Sequence, residues 1–249
     1  MSGHSKWATI KRKKGAADAK RGQLFSKLSR AIIVAAKEGG GDPEGNSALA
    51  NAIQKARDNS MPKDNIERAI QRGAGAGEGD AYEHISYEGY GPGGVAVICS
   101  ILTDNRNRTA SDLRHIFTKN GGSLATPGSV AWQFDRRGII MIDHDAVDED
   151  RLMEVALEAG AQDIGEEGES WQVTTDPTDF MAVRRALDEA EIPVQSADLT
   201  MVPKTTVEPN EKEARQVLRL VDQLEENDDV QDVYANFDIS EDILESVAG

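Results

Sequence analysis

Apolar positions along this chain change period several times, and each change predicts an element. Leu24, Phe25, Leu28, Ile32 and Ala35 recur every three or four residues, which predicts an amphipathic helix stopped by the run Gly39-Gly40-Gly41. A second helix follows Asn46 or Ser47 as its cap and turns Leu49, Ala52, Ile53 and Ala56 inward. A third starts past Met61 and Pro62, buries Ile66, Ala69 and Ile70, and is expected to end at Gly73. Three short amphipathic helices make a small bundle. The segment GAGAGEG (73–79) has no side chains to pack and reads as a flexible linker.

Beyond the linker, strand patterns alternate with helical ones. Strands are predicted at 82–88 and 95–102, a helix at 109–120 with Leu113, Ile116 and Phe117 inward, and a strand at 129–135. Arg136-Arg137-Gly138 is expected to be a turn and a boundary. Residues 139–203 then follow the order βαββαβ of a ferredoxin-like unit. A last helix at 211–226 and the strand VQDVYANFD cannot form a domain by themselves, so they are expected to return to the sheet begun at Tyr82. The expected fold class is multi-domain α+β. Its parts are a basic flexible arm (1–22), a helical domain (23–73), a linker (74–79), a discontinuous α+β domain (80–136 with 204–238), an inserted ferredoxin-like domain (137–203) and a C-terminal tail (239–249).

Charge changes this picture most. The 249 residues carry 28 Lys+Arg against 44 Asp+Glu, which by itself argues against a polyanionic partner. The average hides a division, because residues 1–75 hold fifteen basic against seven acidic side chains, a net +8, and the remainder thirteen against thirty-seven, a net −24. Lys6, Lys11, Arg12, Lys13, Lys14, Lys20, Arg21, Lys27 and Arg30 are almost uncompensated, and nucleic-acid phosphates supply a matching array. Trp7 among them is suited to stacking on a base. Competing readings are a solvated tail, or a basic tail docked on the protein's own acidic domains. The scarcity of interrupting acids favours nucleic acid.

A second candidate is TDNRNRT (103–109), where Asn105, Arg106, Asn107 and Arg108 set two guanidinium forks and two amides at a strand end. From spacing alone the ordinary reading has the edge: Asp104 and Asn105 make the turn, Thr109 or Ser111 caps the helix, and the arginines pair with surface acids. On the third helix Lys63, Asn65, Arg68, Gln71 and Arg72 are placed to face outward. GYGPGG (89–94) joins two strands with no helix behind it and so lacks the helix N-terminus that a phosphate cradle needs. Cys99, in VAVICSIL, reads as a buried strand residue. His4, His84, His115 and His144 are scattered, no hydrolase, P-loop or zinc motif is present, and neither a metal, a cofactor, a catalytic residue nor a small-molecule substrate is expected.

Ala31–Ala36 is far too short to span a membrane and residues 1–23 lack the apolar stretch of a signal peptide, so a cytoplasmic protein is expected, without a membrane partner. An acid-poor start also suggests an organellar transit peptide, but here the basic pattern runs on into the first helix.

Several long blocks, in order, resemble the YebC/PmpR family: GHSKWATIKRKK (3–14), GGGDPEGN (39–46), NSMPKDNIERAIQRG (59–73), YEGYGPGGVAV (87–97), LTDNRNRT (102–109) and FTKNGGSLATPGSVAWQF (117–134). A slight departure is Ala125-Thr126-Pro127, where a Gly-containing turn is expected. The resemblance implies three domains without a catalytic centre. It also implies one of two roles, a DNA-binding transcriptional regulator or, as for the related mitochondrial translational activator of cytochrome c oxidase, a translation factor contacting rRNA in the ribosome. Both need a polyanionic partner, as the charge division does. Base readout from the third helix belongs to the first role; an arm that positions by charge suits the second. A ligand-sensing role for the ferredoxin-like unit is a third possibility, and the oligomeric state is left open.

Overall fold

A computed structural model describes residues 18–75, 82–240 and 243, with side chains from Arg21 onward. Its first helix, α1 (Asp18–Gly39), begins earlier than the apolar period suggests. Residues 18–22 of the expected arm are therefore helical, Gly22 included, as an extension of the turns that Leu28 and Ile32 anchor, whereas Leu24, expected on the inward face, is exposed. Residues 1–17 of the expected arm lie outside the described residues. Two further helices, α2 (Ser47–Asp58) and α3 (Lys63–Ala74), complete a bundle around Leu28, Ile32, Leu49, Ile53 and Ile66.

One buried side chain, Asn46, closes α1 and opens α2. Its Nδ2 donates to the carbonyls of Ala35 (2.7 Å) and Gly40 (2.8 Å), while its Oδ1 accepts from the Leu49 N–H (3.1 Å). Orphan groups of two helix ends are thereby satisfied together, and Gly40, at φ +90°, supplies the left-handed turn that ends α1. Gly73 has a different role from the helix stop expected of it. It lies inside α3, where a Cβ would come within 2.3 Å of the Ile33 carbonyl and 2.8 Å of the Ala36 Cβ, so its missing side chain lets α3 press against α1. Of the expected linker, Gly73 and Ala74 are helical and 76–79 fall outside the described residues.

The first sheet has the order β3-β1-β2-β8. Its hairpin, β1 (Glu83–Tyr90) and β2 (Ala96–Thr103), is antiparallel with Tyr90 opposite Ala96. Short β3 (Ser123–Leu124) lies outside β1, and β8 (Val230–Ala235) pairs antiparallel with β2, Val97 facing Ala235. Helices α4 (Arg106–Lys119) and α7 (Glu211–Glu225) bring Leu113, Phe117, Val217, Leu218 and Val221 onto Val97, Cys99 and Ile101. Cys99 is fully buried, and burial pushes its thiol up to about 12, so it acts as a small core hydrophobe. Asn210 and Glu213 start α7 with a reciprocal capping box.

The second sheet contains β4 (Phe134–Asp143), β5 (Ala161–Glu167), β6 (Ser170–Thr175) and β7 (Ser196–Pro203) in the order β5-β6-β4-β7. With α5 (Glu149–Glu158) and α6 (Phe180–Glu189) this is the ferredoxin-like arrangement, its core built on Ile140, Ile142, Leu152, Val173, Val183 and Leu187. The fold is thus α+β, with helices first and two antiparallel sheets after.

The stretch 129–138 departs from expectation. Ala131–Gln133 form a short 3-10 turn instead of strand, and β4 runs straight through Arg136-Arg137-Gly138. Gly138 is there for close approach: a Cβ would lie 2.2 Å from Thr175 Oγ1 and 2.5 Å from Phe180 Cδ2.

By compactness the chain divides into two units. One holds residues up to Ala56, Met61–Phe134 and those from Pro203 on; the other holds Arg57–Ser60 and Asp135–Val202. No described helix is long and apolar enough to cross a membrane.

Gly73→Ala is expected to destabilise the protein by about 1–3 kcal/mol through overpacking of α3 on α1. Gly45→Ala, where the nearest atom to a new Cβ is 4.0 Å away, serves as the control. Urea denaturation of the two variants beside the wild type checks this; equal stabilities would contradict the close-packing role.

Candidate nucleic-acid interface

Helical spacing puts Gln23, Lys27 and Arg30 on one face of α1, and this face meets the acidic turn between α7 and β8. Gln23 Nε2 donates to the Glu226 carbonyl (2.6 Å) and to Asp228 Oδ1 (3.0 Å), and Lys27 Nζ donates to the Glu225 carbonyl (2.6 Å). Arg30 Nη1 donates to the Asp228 carbonyl (2.9 Å) and lies 3.6 Å from Asp229 Oδ1. From α2, Lys55 Nζ reaches Asp232 Oδ1 at 2.6 Å. The last carbonyls of α7, which lack partners within that helix, are capped by side chains of α1 and set against the cationic charge they favour. Burial lowers the pKa of Lys27, opposed by Glu225, Asp228 and Asp232. Two of the nine cations near the N-terminus, Lys27 and Arg30, are therefore engaged by the protein's own acids. Arg30 also stacks over Tyr82, 5.2 Å from its ring centre.

Asp229 is the centre of this contact. Its carboxylate is almost wholly buried and accepts from the hydroxyls of Thr109 (2.7 Å) and Thr103 (3.1 Å) and from Arg108 Nη2 (3.0 Å). Its own carbonyl accepts the Leu102 N–H at 2.8 Å, next to the bulge where β2 shifts register against β8. Burial pushes its pKa up, but the bonds from Thr109, Arg108 and Thr103 and the charge of Arg108 outweigh this and hold it below the ordinary value.

The TDNRNRT segment is reorganised by that carboxylate. Asn105, not Thr109 or Ser111, is the N-cap of α4, its Oδ1 accepting the Arg108 N–H at 3.0 Å. Thr109 is instead fully buried against Asp229. Arg108 is held between Asp104 (2.8 Å) and Asp229 (3.0 Å). Arg106 is exposed and makes no side-chain hydrogen bond or ion pair among the described residues.

On α3, Lys63 projects into solvent 3.6 Å from Glu67, and Arg68 folds back on its helix, bonding the Asp64 carbonyl and Asn65 Oδ1. Arg21, Arg72, Arg114 and Lys119 join Arg106 as exposed cations with no such partner among the described residues. Lys6, Trp7, Lys11, Arg12, Lys13 and Lys14 lie outside the described residues, as does the side chain of Lys20. Asp229 escaped the sequence reading because ENDD looks like an ordinary solvated turn, and its partners are more than a hundred residues away. Glu88 escaped it too, its partners lying forty and more residues along the chain.

Residues 5–76 match the family model described as the TACO1/YebC protein N-terminal domain, and residues 82–237 match TACO1/YebC second and third domain. A protein of Rubrobacter xylanophilus called "Probable transcriptional regulatory protein" is 65% identical over 250 residues, covering 100% of both chains. One of the same description from Natranaerobius thermophilus is 56% identical over 249 residues, covering 99% of this chain and 100% of its own. The crystal structure of a conserved hypothetical protein from Aquifex aeolicus is similar with a TM-score of 0.79 at 47% identity, covering 90% of this chain and 93% of that one.

Asp229→Ala takes an acceptor from Arg108, Thr103 and Thr109, although Arg108 keeps Asp104 and Thr109 the Asn105 carbonyl, and is expected to cost about 1–3 kcal/mol. Because the folded pKa lies below the unfolded one, the carboxylate's contribution is complete above about pH 4 and is lost as pH falls through the folded value. Urea denaturation at a series of pH values should show the wild type more stable than Asp229→Asn near neutrality, the gap closing in acid. A gap that does not change with pH would contradict this assignment.

Proposed function

Since the chain belongs to the TACO1/YebC family, we propose that it is a non-enzymatic, nucleic-acid-binding regulator of gene expression. The observation that carries this reading is the segregation of charge, +8 over residues 1–75 against −24 over the rest. A chain so acidic overall would be repelled by a polyanion unless its cations acted together at one end. Lys27 and Arg30 are engaged internally, so the binding charge falls to Lys6, Lys11, Arg12, Lys13, Lys14, Lys20 and Arg21, with Arg72 on the helical bundle and Arg106 as an outlying contact.

The names of the relatives support a DNA-binding transcriptional regulator. A ribosome-associated translation factor touching rRNA is the alternative, and one feature of α3 supports it. Of the five side chains expected to face outward there, Arg68 is bonded to the Asp64 carbonyl and to Asn65 Oδ1, which occupies two of them, while Lys63, Gln71 and Arg72 stay exposed. Cations without a preset amide or guanidinium fork fix position on a backbone more than they read sequence.

Affinity for either nucleic acid should fall steeply with salt. Reversing Lys11, Arg12, Lys13 and Lys14 to Glu should abolish binding at moderate salt and flatten the log–log salt slope by roughly 3. Fluorescence anisotropy titrations across a salt series measure both, and an unchanged slope would remove the arm from the interface. Crosslinking in cells, with sequencing of bound DNA and RNA, separates the roles: promoter enrichment supports the first, rRNA at a functional ribosomal site the second.

A further inference from the structure

Trp132 is 67% exposed, the most exposed large apolar side chain among the described residues. It is nevertheless held. Its indole N–H donates to the Ser129 carbonyl at 3.0 Å, and the same carbonyl accepts the hydroxyl of Tyr90, itself 37% exposed, at 3.1 Å. One oxygen thus fixes two aromatic rings at the surface. The loop supplying that oxygen is built around Glu88, a buried carboxylate on β1 that accepts the N–H groups of Gly128 (2.6 Å), Val130 (2.6 Å) and Ala131 (2.9 Å). Burial raises the Glu88 pKa, and these three bonds lower it by more, so the carboxylate stays charged and the loop stays pinned. Glu88 also receives the Ala125 N–H at its carbonyl, 2.8 Å away, and Thr126 Oγ1 lies 3.1 Å from Ser129 Oγ.

A flat ring kept in water by a purpose-built loop is an unused contact surface, and its surroundings indicate what fits. A protein-binding hot spot sits at the centre of an apolar patch that excludes water. Here no other large exposed apolar side chain accompanies Trp132 in this loop, and a Cβ on Gly128 of the same loop would meet open space. Ser123, opposite Tyr90 on β3, follows Lys119 by four residues, and the cation of Lys119 has no partner among the described residues. Two rings with a cation on the adjoining segment suit a π-faced ligand carrying negative charge.

We infer that Trp132 and Tyr90 form a stacking platform for an unpaired nucleobase, so that the partner includes a single-stranded segment in addition to the phosphates held by the arm. This rests on the nucleic-acid reading above and adds to it a site and a strand state. Bases within a duplex are already stacked and cannot use the platform.

The test uses the full chain in a Trp7→Phe background, so that surface indole emission comes from Trp132 while Trp171 stays buried. Twelve-nucleotide oligo(dT), oligo(U) and a matching DNA duplex are titrated, following anisotropy and indole emission together. Either single strand should quench the emission; Trp132→Ala should bind it roughly tenfold more weakly, whereas Trp132→Phe, which keeps a flat ring, should stay within a few-fold. Duplex affinity should be the same in all three. The stronger of the two single strands identifies the partner as DNA or RNA. Should the wild-type protein bind no oligonucleotide, this inference and the proposed function fall together. If it binds but neither emission nor affinity responds to Trp132, only the platform is overturned. A blue shift that grows with protein concentration and needs no nucleic acid assigns Trp132 to a contact between copies, which overturns it as well.

Discussion

Asp229 is the point on which the first unit is organised. Burying a lone carboxylate is too costly to tolerate, and here the cost is offset by two hydroxyls, one guanidinium and a more distant second one. Those donors come from β2, α4 and α1, so satisfying one charge requires three segments to meet. The β2 bulge, the cap of α4 at Asn105 and the inward turn of Arg30 are each arranged around that carboxylate. Lys27, Gln23 and Lys55 extend the contact along the acidic turn, where the exposed carbonyls at the end of α7 favour cations.

Charge segregation therefore has two consequences in one molecule. Cations that face the turn hold the helical bundle on the sheet, and several that face away have no partner among the described residues. Of two competing sequence readings, a basic end docked on its own acids and a basic end binding nucleic acid, the first describes Lys27 and Arg30, which leaves the second to cations elsewhere. Arg21 and Arg72 are exposed and have no such partner among the described residues.

The exposed Trp132 follows the same logic in apolar terms. Glu88 could have been left in solvent, as most glutamates are; buried, it has to collect donors, and it collects them from one loop. That loop is thereby rigid enough to hold an indole out in water. In both places a buried carboxylate converts an irregular segment into a defined surface.

Much of this was legible along the chain. Helical periods at Leu24–Ala35 and in 211–226, the alternating strands, the βαββαβ order and the charge division depend on neighbours within a few residues, and local patterns record them faithfully. Glycines were harder. Gly73 and Gly138 read as punctuation, yet both allow close approach, because the atoms they make room for, the Ile33 carbonyl and Thr175 Oγ1, are tens of residues away. Polar residues were hardest of all. Nothing in TDNRNRT or ENDDV tells which threonine is buried, and although Asp104 lies four residues before Arg108, only Asp229 draws that arginine, and not Arg106, onto the buried carboxylate. By itself the sequence determined most of the helices and strands and which end is basic, since those follow from local spacing and composition. Only the tertiary structure decided which of the described cations are engaged within the protein, since that depends on groups brought together from opposite ends of the chain.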